Sequence, residues 1–269
     1  MKFISTRRDF LKGSILTVSA CWLSACASQV DPLLKNDSSA NYYIQRRQDI
    51  LDENKPYLLE IQKILKKEYG ENEASDCTAR VRRQFDELLK TLPDIGGDAN
   101  VLTSTLIQSA LALAFYQVTK QSGIPLEESG RMIYQATRAL VFKPEVMGGA
   151  DTKIANSQSA RVHYQKTAAW SQQRLYAQDW VYSYVEGDGS NFDYGVDYTE
   201  CALCKFYKSQ DAIEFAPYLC LGDYLISQNY ETGLQRTQTL ARGGACCDFR
   251  FKTGRQPRIE WMPDFMFQG

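Results

Sequence analysis

The spacing of apolar residues predicts a helical chain from residue 56 to about residue 173. Proline suits the first turn of a helix, so the first predicted helix starts at Pro56, and Gly70 ends it. Its apolar face is formed by Leu58, Ile61, Ile64 and Leu65. Further helices are predicted over 75–92, 102–121, 125–142 and 158–173. The helix over 102–121 is apolar on nearly all sides, which predicts that it is the buried central helix.

From residue 179 onward the pattern changes to that of strands. Large apolar and polar residues alternate over 180–185 and over 192–199, on either side of a glycine-containing turn, which predicts a hairpin. Helices are predicted over 201–207 and 216–228, followed by a strand pair over 234–240 and 246–252. The predicted fold class is α+β: a helical N-terminal half packed with a C-terminal small antiparallel sheet and helices.

The N-terminal residues have the features of an export signal. Arg7 and Arg8 precede an aromatic residue and a leucine, as in twin-arginine signals, and a short apolar stretch over 13–23 follows. That stretch is shorter than the roughly 20 residues that span a bilayer. The sequence Leu23-Ser24-Ala25-Cys26 then fits a lipidation site, with Cys26 as the modified residue.

These features predict the organisation and location of the protein. We expect a signal peptide over 1–25, a tether over 26–40, a helical region over 41–150 and an α+β cysteine-rich region over 151–269, the last two forming one continuous domain. The protein is expected to be exported by the twin-arginine translocase and lipid-anchored to a membrane, facing the periplasm or cell exterior. Because this route carries folded proteins, it favours a bound metal or cofactor.

Composition excludes some classes of function. Lysine and arginine total 31 and aspartate and glutamate 32, so the near-zero net charge predicts no basic face for nucleic acid. The single histidine, His163, excludes a site with several histidines. Because it lies in a polar stretch, it is interpreted as a solvated helix residue, with a catalytic role as the alternative.

Cysteines are the most unusual feature of the mature chain. Cys77 stands apart, whereas five others lie between residues 201 and 247. Cys201 and Cys204 open a predicted helix, where backbone N–H groups favour a thiolate. Cys246 and Cys247 begin a strand and point to opposite faces, so only one is expected to join the other thiols.

Three interpretations of these cysteines stay open. Cys201, Cys204, Cys220 and Cys247 would form a thiolate site for zinc or iron. Disulfides would form in an oxidising compartment. Alternatively, the thiols are unbonded and one of them is a nucleophile, for which Cys220 is the candidate.

Two charged residues near the cysteines are further candidates. Asp223 follows Cys220 on an apolar helix face, where its pKa would be raised and it would act as a general acid or base. A simple pairing of Asp223 with an arginine is the alternative. Arg236 could hold a substrate carboxylate through two hydrogen bonds, or lie on a solvent-facing strand.

Three segments of the C-terminal third resemble the L-2-amino-thiazoline-4-carboxylic acid hydrolase family. They are YTECALCK at 198–205, EFAPYLCLGDY at 214–224 and LQRTQTLARGGACCDFR at 234–250. The segment LPDIGG at 92–97 is similar to that family as well, so the resemblance extends over roughly residues 50–255. The last segment also resembles vinyl-reductase-type ligand-binding domains, which sense small molecules.

The first resemblance implies a hydrolase that opens a cyclic amidine or isothiourea, such as 2-amino-thiazoline-4-carboxylate, to a carbamoyl-cysteine product. In this interpretation Asp223 and Cys220 are catalytic and Arg236 binds the small-molecule substrate. A thiolate-bound metal would lower the pKa of a water molecule only if one of its coordination positions were open. The alternative is a non-enzymatic sensor or binding lipoprotein for a small molecule or a metal.

Overall fold

A computed structural model describes residues 39–143 and 155–267 of the 269-residue chain. The predicted twin-arginine pair Arg7 and Arg8, the predicted lipidation site Cys26 and nearly all of the predicted tether lie outside the described residues. Within them, no helix combines the length and the apolar character needed to cross a bilayer.

The N-terminal half is helical, as predicted. The helices are α1 (Ser39–Gln45), α2 (Arg47–Glu53), α3 (Lys55–Tyr69), α4 (Glu71–Leu89), α5 (Thr103–Gln121), α6 (Leu126–Val141) and α7 (Gln158–Ser171). The apolar spacing therefore placed α3 to α7 within a few residues of their ends. The two short helices α1 and α2 were not predicted.

Helices α3 to α6 form a bundle in which each packs against two of the others. The contacts run from α3 to α4, α4 to α5, α5 to α6 and α6 back to α3. Helix α5 is buried on nearly all sides, which confirms its predicted central position. Burial of its apolar surface, at about 25 cal/mol per Å², is the main term that holds the bundle together.

The C-terminal half contains three short helices and a four-stranded sheet, which confirms the α+β class. The elements are α8 (Ala202–Ser209), α9 (Ala216–Cys220), α10 (Gly222–Tyr230), β1 (Val181–Glu186), β2 (Tyr194–Glu200), β3 (Leu234–Gln235) and β4 (Cys247–Phe251). The sheet is antiparallel with the order β1-β2-β4-β3. Helix α7 packs on β1, and α9 and α10 pack on α6.

The predicted strand over 234–240 is wrong beyond residue 235. The backbone N–H groups of Thr237 and Gln238 donate to the Asp248 carboxylate at 2.8 and 2.9 Å. A side chain therefore takes the hydrogen bonds that a strand partner would have made. A 3₁₀ turn at Leu240–Arg242 follows.

The predicted helix over 216–228 is two helices instead of one. In a continuous helix the carbonyl of Cys220 would accept from the N–H of Tyr224. Instead, the Arg236 guanidinium donates to that carbonyl at 2.6 Å, and the N–H of Tyr224 turns to Leu221 at 3.2 Å. The break between α9 and α10 is thus made by a residue far along the chain.

A single hydrophobic cluster joins residues of both halves. Phe215 stacks on Tyr116 of α5 with ring centroids 4.4 Å apart. The buried hydroxyl of Tyr207, on α8, donates to the carbonyl of Ser109 at 2.7 Å. These contacts fix α8, which opens with the cysteine pair, against the central helix.

Candidate functional site

Cys201 occupies the junction between strand β2 and helix α8. It is the N-terminal capping residue of α8, with an extended backbone. The neighbouring Cys204 thiol is the main cause that lowers its pKa, and the N–H groups of Cys204 and Leu203 and the Trp180 side chain add to the effect against burial. Among the six cysteines of the described residues, Cys201 is the one whose pKa is lowered.

Three other thiols lie close enough to affect one another's pKa. Donation to Cys201 and burial raise the pKa of Cys204, while burial raises that of Cys220 and brings that of Cys247 to about 12. The charges of Cys201 and Cys247 both raise the pKa of Cys204 and that of Cys220. These four residues are called the thiol cluster below. It contains the same four cysteines that the sequence analysis proposed as metal ligands.

Cys246 lies apart from the thiol cluster. Burial raises its pKa, and the charges near it are those of Asp197, Asp248 and Arg250. Cys247 is buried, and its sulfur accepts from the N–H of Leu240 at 3.2 Å. The alternation of side chains along β4 thus separates the two adjacent cysteines as the sequence predicted.

The thiol cluster, as placed, does not form a set of metal ligands. No group of three or more cysteine, histidine, aspartate or glutamate side chains within residues 39–143 and 155–267 is arranged to hold a metal ion. All six cysteines in that part of the chain are free thiols, so the disulfide interpretation has no counterpart there. Zinc or iron binding stays a prediction.

Arg236 is the centre of a buried polar network. Its side chain is only 1% exposed, and it donates to an Asp223 oxygen at 2.7 Å and to a Glu260 oxygen at 3.2 Å. It also donates to the Cys220 carbonyl and to the Tyr224 hydroxyl. The rings of Tyr224 and Phe249 lie 4.7 and 5.1 Å from the guanidinium carbon.

The position of Arg236 bears on two alternatives of the sequence analysis. Arg236 is buried, so the solvent-facing alternative is wrong. Asp223 pairs with this arginine, as its simpler alternative proposed. The guanidinium is directed at groups of the protein itself, so binding a substrate carboxylate would require this network to open.

Asp223 combines accessibility with a strongly desolvated setting. Its side chain is 38% exposed, whereas burial raises its pKa against the opposing charge and hydrogen bond of Arg236. The carboxylate is therefore partly exposed although protein surrounds it. Asp223 also affects the pKa of Cys220 and Cys247, which puts its carboxylate near the thiol cluster.

Glu260 was missed by the sequence analysis. It comes from the C-terminal segment, and its side chain is 9% exposed beside Arg236. Burial, with a smaller contribution from Asp223, raises its pKa to about 7. One guanidinium cannot neutralise two carboxylates, so the network favours holding one proton. The available signal was a charged residue between Ile259 and Trp261.

A small pocket lies between the sheet, the start of α5 and helix α7. Tyr182 and Tyr198 line it from the sheet, Leu102 and Thr105 from the start of α5, and His163 from α7. Tyr198 is also close enough to Asp223, Cys247 and Cys201 for their charges to affect its pKa. The pocket thus borders the site through Tyr198.

His163 lies on helix α7, as predicted, but it is only partly solvated. It is half-buried in the wall of this pocket. Burial, followed by the charge of Lys166, lowers its pKa, so the imidazole is neutral near pH 7. Gln165 and Lys166, which follow it after Tyr164, are exposed.

Known protein families include one that matches this chain. The family described as L-2-amino-thiazoline-4-carboxylic acid hydrolase matches residues 104–251, more than half of the chain. The chain belongs to this family. The hydrolase family range includes the thiol cluster, Asp223 and Arg236, whereas Glu260 lies beyond its end. No curated protein and no solved structure matches the chain significantly.

Proposed function

We propose that this protein is a hydrolase that opens a cyclic amidine or isothiourea, such as 2-amino-thiazoline-4-carboxylate, to a carbamoyl-cysteine. Its membership of the hydrolase family supports the substrate class. The observation that carries the proposal is that Cys201, the cysteine of lowered pKa, shares the thiol cluster with Cys220 and Cys247, whose pKa values are affected by the desolvated carboxylate of Asp223. Together Cys201 and Asp223 provide a nucleophile and a proton carrier.

In the first step the Cys201 thiolate adds to the ring carbon that lies between sulfur and nitrogen. The protonated form of Asp223 gives its proton to the ring nitrogen. The carbon–sulfur bond of the ring then breaks, and the substrate sulfur leaves as a thiolate. The product of this step is an isothiourea carried on Cys201.

In the second step water adds to the isothiourea carbon, and the Asp223 carboxylate takes a proton from that water. Collapse of the adduct forms the urea carbonyl, expels the Cys201 thiolate and passes the hydroxyl proton to the substrate sulfur. One water is consumed, and N-carbamoyl-cysteine leaves with a free thiol. No step is routed through a metal.

This proposal changes two roles assigned from the sequence. Burial raises the pKa of Cys220, which therefore stays a thiol, and Cys201 becomes the nucleophile. Arg236 and Glu260 become positioning residues that fix the orientation and charge of Asp223.

A turnover assay with the reduced protein tests the proposal. Catalytic amounts of protein are mixed with 2-amino-thiazoline-4-carboxylate, and the released thiol is followed with a thiol-reactive dye. We expect Cys201→Ser to lower kcat on the order of 10³-fold or more. Cys77→Ser, which removes a thiol of α4 outside the thiol cluster, is the control and should keep full activity.

Mass spectrometry separates the covalent route from direct attack by water. Asp223→Asn should slow the second step, so that protein carrying one intact substrate accumulates. Turnover by Cys201→Ser within about tenfold of the unmodified protein would rule out the nucleophile. Saturable substrate binding without turnover by the wild type, either as purified or after zinc or iron loading checked by elemental analysis, would favour the binding-protein alternative.

A further inference from the structure

Cys201 and Cys204 form a closely spaced pair at the start of helix α8. Cys201 is the capping residue and Cys204 lies in the first turn. By helix geometry, residues three apart have Cα atoms about 5 Å apart, which is within the range of disulfides. Each of the two thiols affects the pKa of the other more than any other residue does, which places their sulfurs close together. A bond between the two sulfurs therefore requires little movement of the backbone.

Both residues of the pair are partly exposed. Cys220 and Cys246 are partly exposed as well, whereas Cys77 and Cys247 are buried. The Cys247 sulfur is additionally held by the N–H of Leu240 at 3.2 Å. What distinguishes this pair from the other partly exposed cysteines is that both lie in one helix turn and that Cys204 has the largest effect on the pKa of Cys201.

We propose that Cys201 and Cys204 form a reversible dithiol–disulfide couple that exchanges with small-molecule disulfides, Cys201 attacking and Cys204 resolving. The couple is independent of any hydrolytic reaction. It adds a redox activity to a pair that the hydrolase proposal uses only through Cys201.

The exchange balances without any further reagent. The Cys201 thiolate attacks one sulfur of the small disulfide and forms a mixed disulfide, releasing the other half as a thiolate. Cys204 then loses its proton to solvent and attacks the Cys201 sulfur. The second half leaves as a thiolate, so the protein loses two hydrogens and the small disulfide is reduced to two thiols.

One consequence rests on the proposed function. If Cys201 is the nucleophile of the hydrolase, oxidation of the pair removes it, and turnover stops until a reductant restores the dithiol. Oxidation would thereby act as an off-switch at the active site. The redox couple is measured on the protein itself, so its failure and the failure of the hydrolase proposal are separable.

The test equilibrates the reduced full-length protein with glutathione disulfide, blocks the remaining thiols by alkylation and maps the peptides by mass spectrometry. We expect the loss of two alkylatable thiols, at Cys201 and Cys204, and their return with dithiothreitol. Cys204→Ser should stop at a mixed disulfide of Cys201 with one glutathione. Cys204→Ala provides a second trap, and circular dichroism checks that each variant folds.

Matched controls fix the identity of the pair. Cys220→Ser removes a neighbouring thiol of the cluster and should leave the loss of two thiols unchanged, as should Cys77→Ser. A disulfide that involves Cys220 or Cys247, or thiols that all stay alkylatable, would overturn the proposal. So would thiols that resist glutathione disulfide until a chelator removes stoichiometric zinc or iron.

Turnover is measured on the same oxidised and reduced samples. A formed Cys201–Cys204 disulfide with no turnover in either state would count against the hydrolase proposal and leave the redox couple standing. A formed disulfide with unchanged turnover would contradict the role of Cys201 as the nucleophile. Absence of the disulfide overturns the redox couple whatever the turnover.

Discussion

At the scale of single residues, the site depends on how one buried arginine is shared. Arg236 lies between Asp223 and Glu260 and also donates to the Cys220 carbonyl. A buried charge that loses its partners is costly, so this guanidinium ties three separate segments to one geometry. Because Glu260 adds a second carboxylate beside the one guanidinium, the network also holds a proton near neutral pH.

We expect Glu260→Gln to flatten the pH dependence of stability between pH 4.5 and about 7. In the folded protein burial raises the pKa of Glu260 from 4.5 to about 7. Between these two pH values the native state binds more protons than the unfolded state. The stability that protonated Glu260 contributes is therefore complete below pH 4.5 and is lost as the pH rises through 7. Glutamine cannot ionise, so the difference in free energy of unfolding between wild type and variant should change by roughly 3 kcal/mol across this pH range.

The measurement is urea unfolding of both proteins at several pH values. Glu214→Gln is the control of opposite sign, since hydrogen bonds from Lys120 and Tyr116 outweigh burial and keep the pKa of Glu214 below its ordinary value. The effect of Glu214→Gln on stability is expected at acidic pH, where the wild type loses the contribution of ionised Glu214 as the pH falls. An E260Q stability curve parallel to that of the wild type would show that Glu260 is ionised throughout.

At the scale of elements, side chains decide where helices and strands stop. Arg236 takes the carbonyl that would have continued α9 into α10, and Asp248 takes the N–H groups that would have extended β3. Both residues lie on other segments than the elements they end. A local pattern therefore gives the type of each element correctly but overestimates its length.

We expect Gly130→Ala to destabilise the protein by about 1–3 kcal/mol through overpacking. Gly130 lies on α6 where the ring of Tyr218, on α9, packs against its backbone. A Cβ at this position would lie 2.1 Å from a ring carbon. Alanine is otherwise the better helix former, so a loss of stability would come from this contact alone.

Chemical denaturation of Gly222→Ala provides the matched comparison. Gly222 begins α10, and a Cβ there would lie 3.6 Å from a Thr137 methyl carbon, an ordinary contact. Its substitution should change the free energy of unfolding by no more than about 0.5 kcal/mol. Equal effects of the two substitutions would mean that α9 does not pack on α6 as described.

At the scale of the whole molecule, a helix bundle supports a site built almost entirely by the C-terminal half. The thiol cluster comes from the starts of α8 and β4 and the end of α9, and Asp223 from α10. The bundle contributes through α5, against which α8 is fixed, and α6, against which α9 and α10 pack. The residues before the family match thus complete a scaffold for the site.

We expect the mature protein to be exported and to carry a lipid on Cys26. The twin-arginine pattern at Arg7 and Arg8 and the small residues before Cys26 are the reasons. Changing both arginines to lysine keeps the charge but removes the pattern, so the protein should stay in the cytoplasmic fraction. Cell fractionation with mass spectrometry of the N-terminus measures both; normal export of the double variant, or an unmodified N-terminus, would contradict the prediction.

The sequence by itself determined the class and order of the elements and the membership of the thiol cluster. Helical spacing over α3 to α7 and alternation in β1 and β2 are local signals, because burial of one face repeats with the period of the element. The alternation along β4 indicated that only one of Cys246 and Cys247 would join the other thiols. The segments around Cys201, Cys220 and Arg236 also sufficed for the family.

The tertiary structure alone decided what each of these residues does. Whether a thiol is ionised depends on burial and on neighbours from other segments, so Cys201 differs from Cys220 for reasons that spacing does not contain. Glu260 joins Arg236 across 24 residues, and Asp223 joins it across 13. Sequence patterns record which face a residue occupies, whereas the partners that it meets on that face are fixed only when the chain packs.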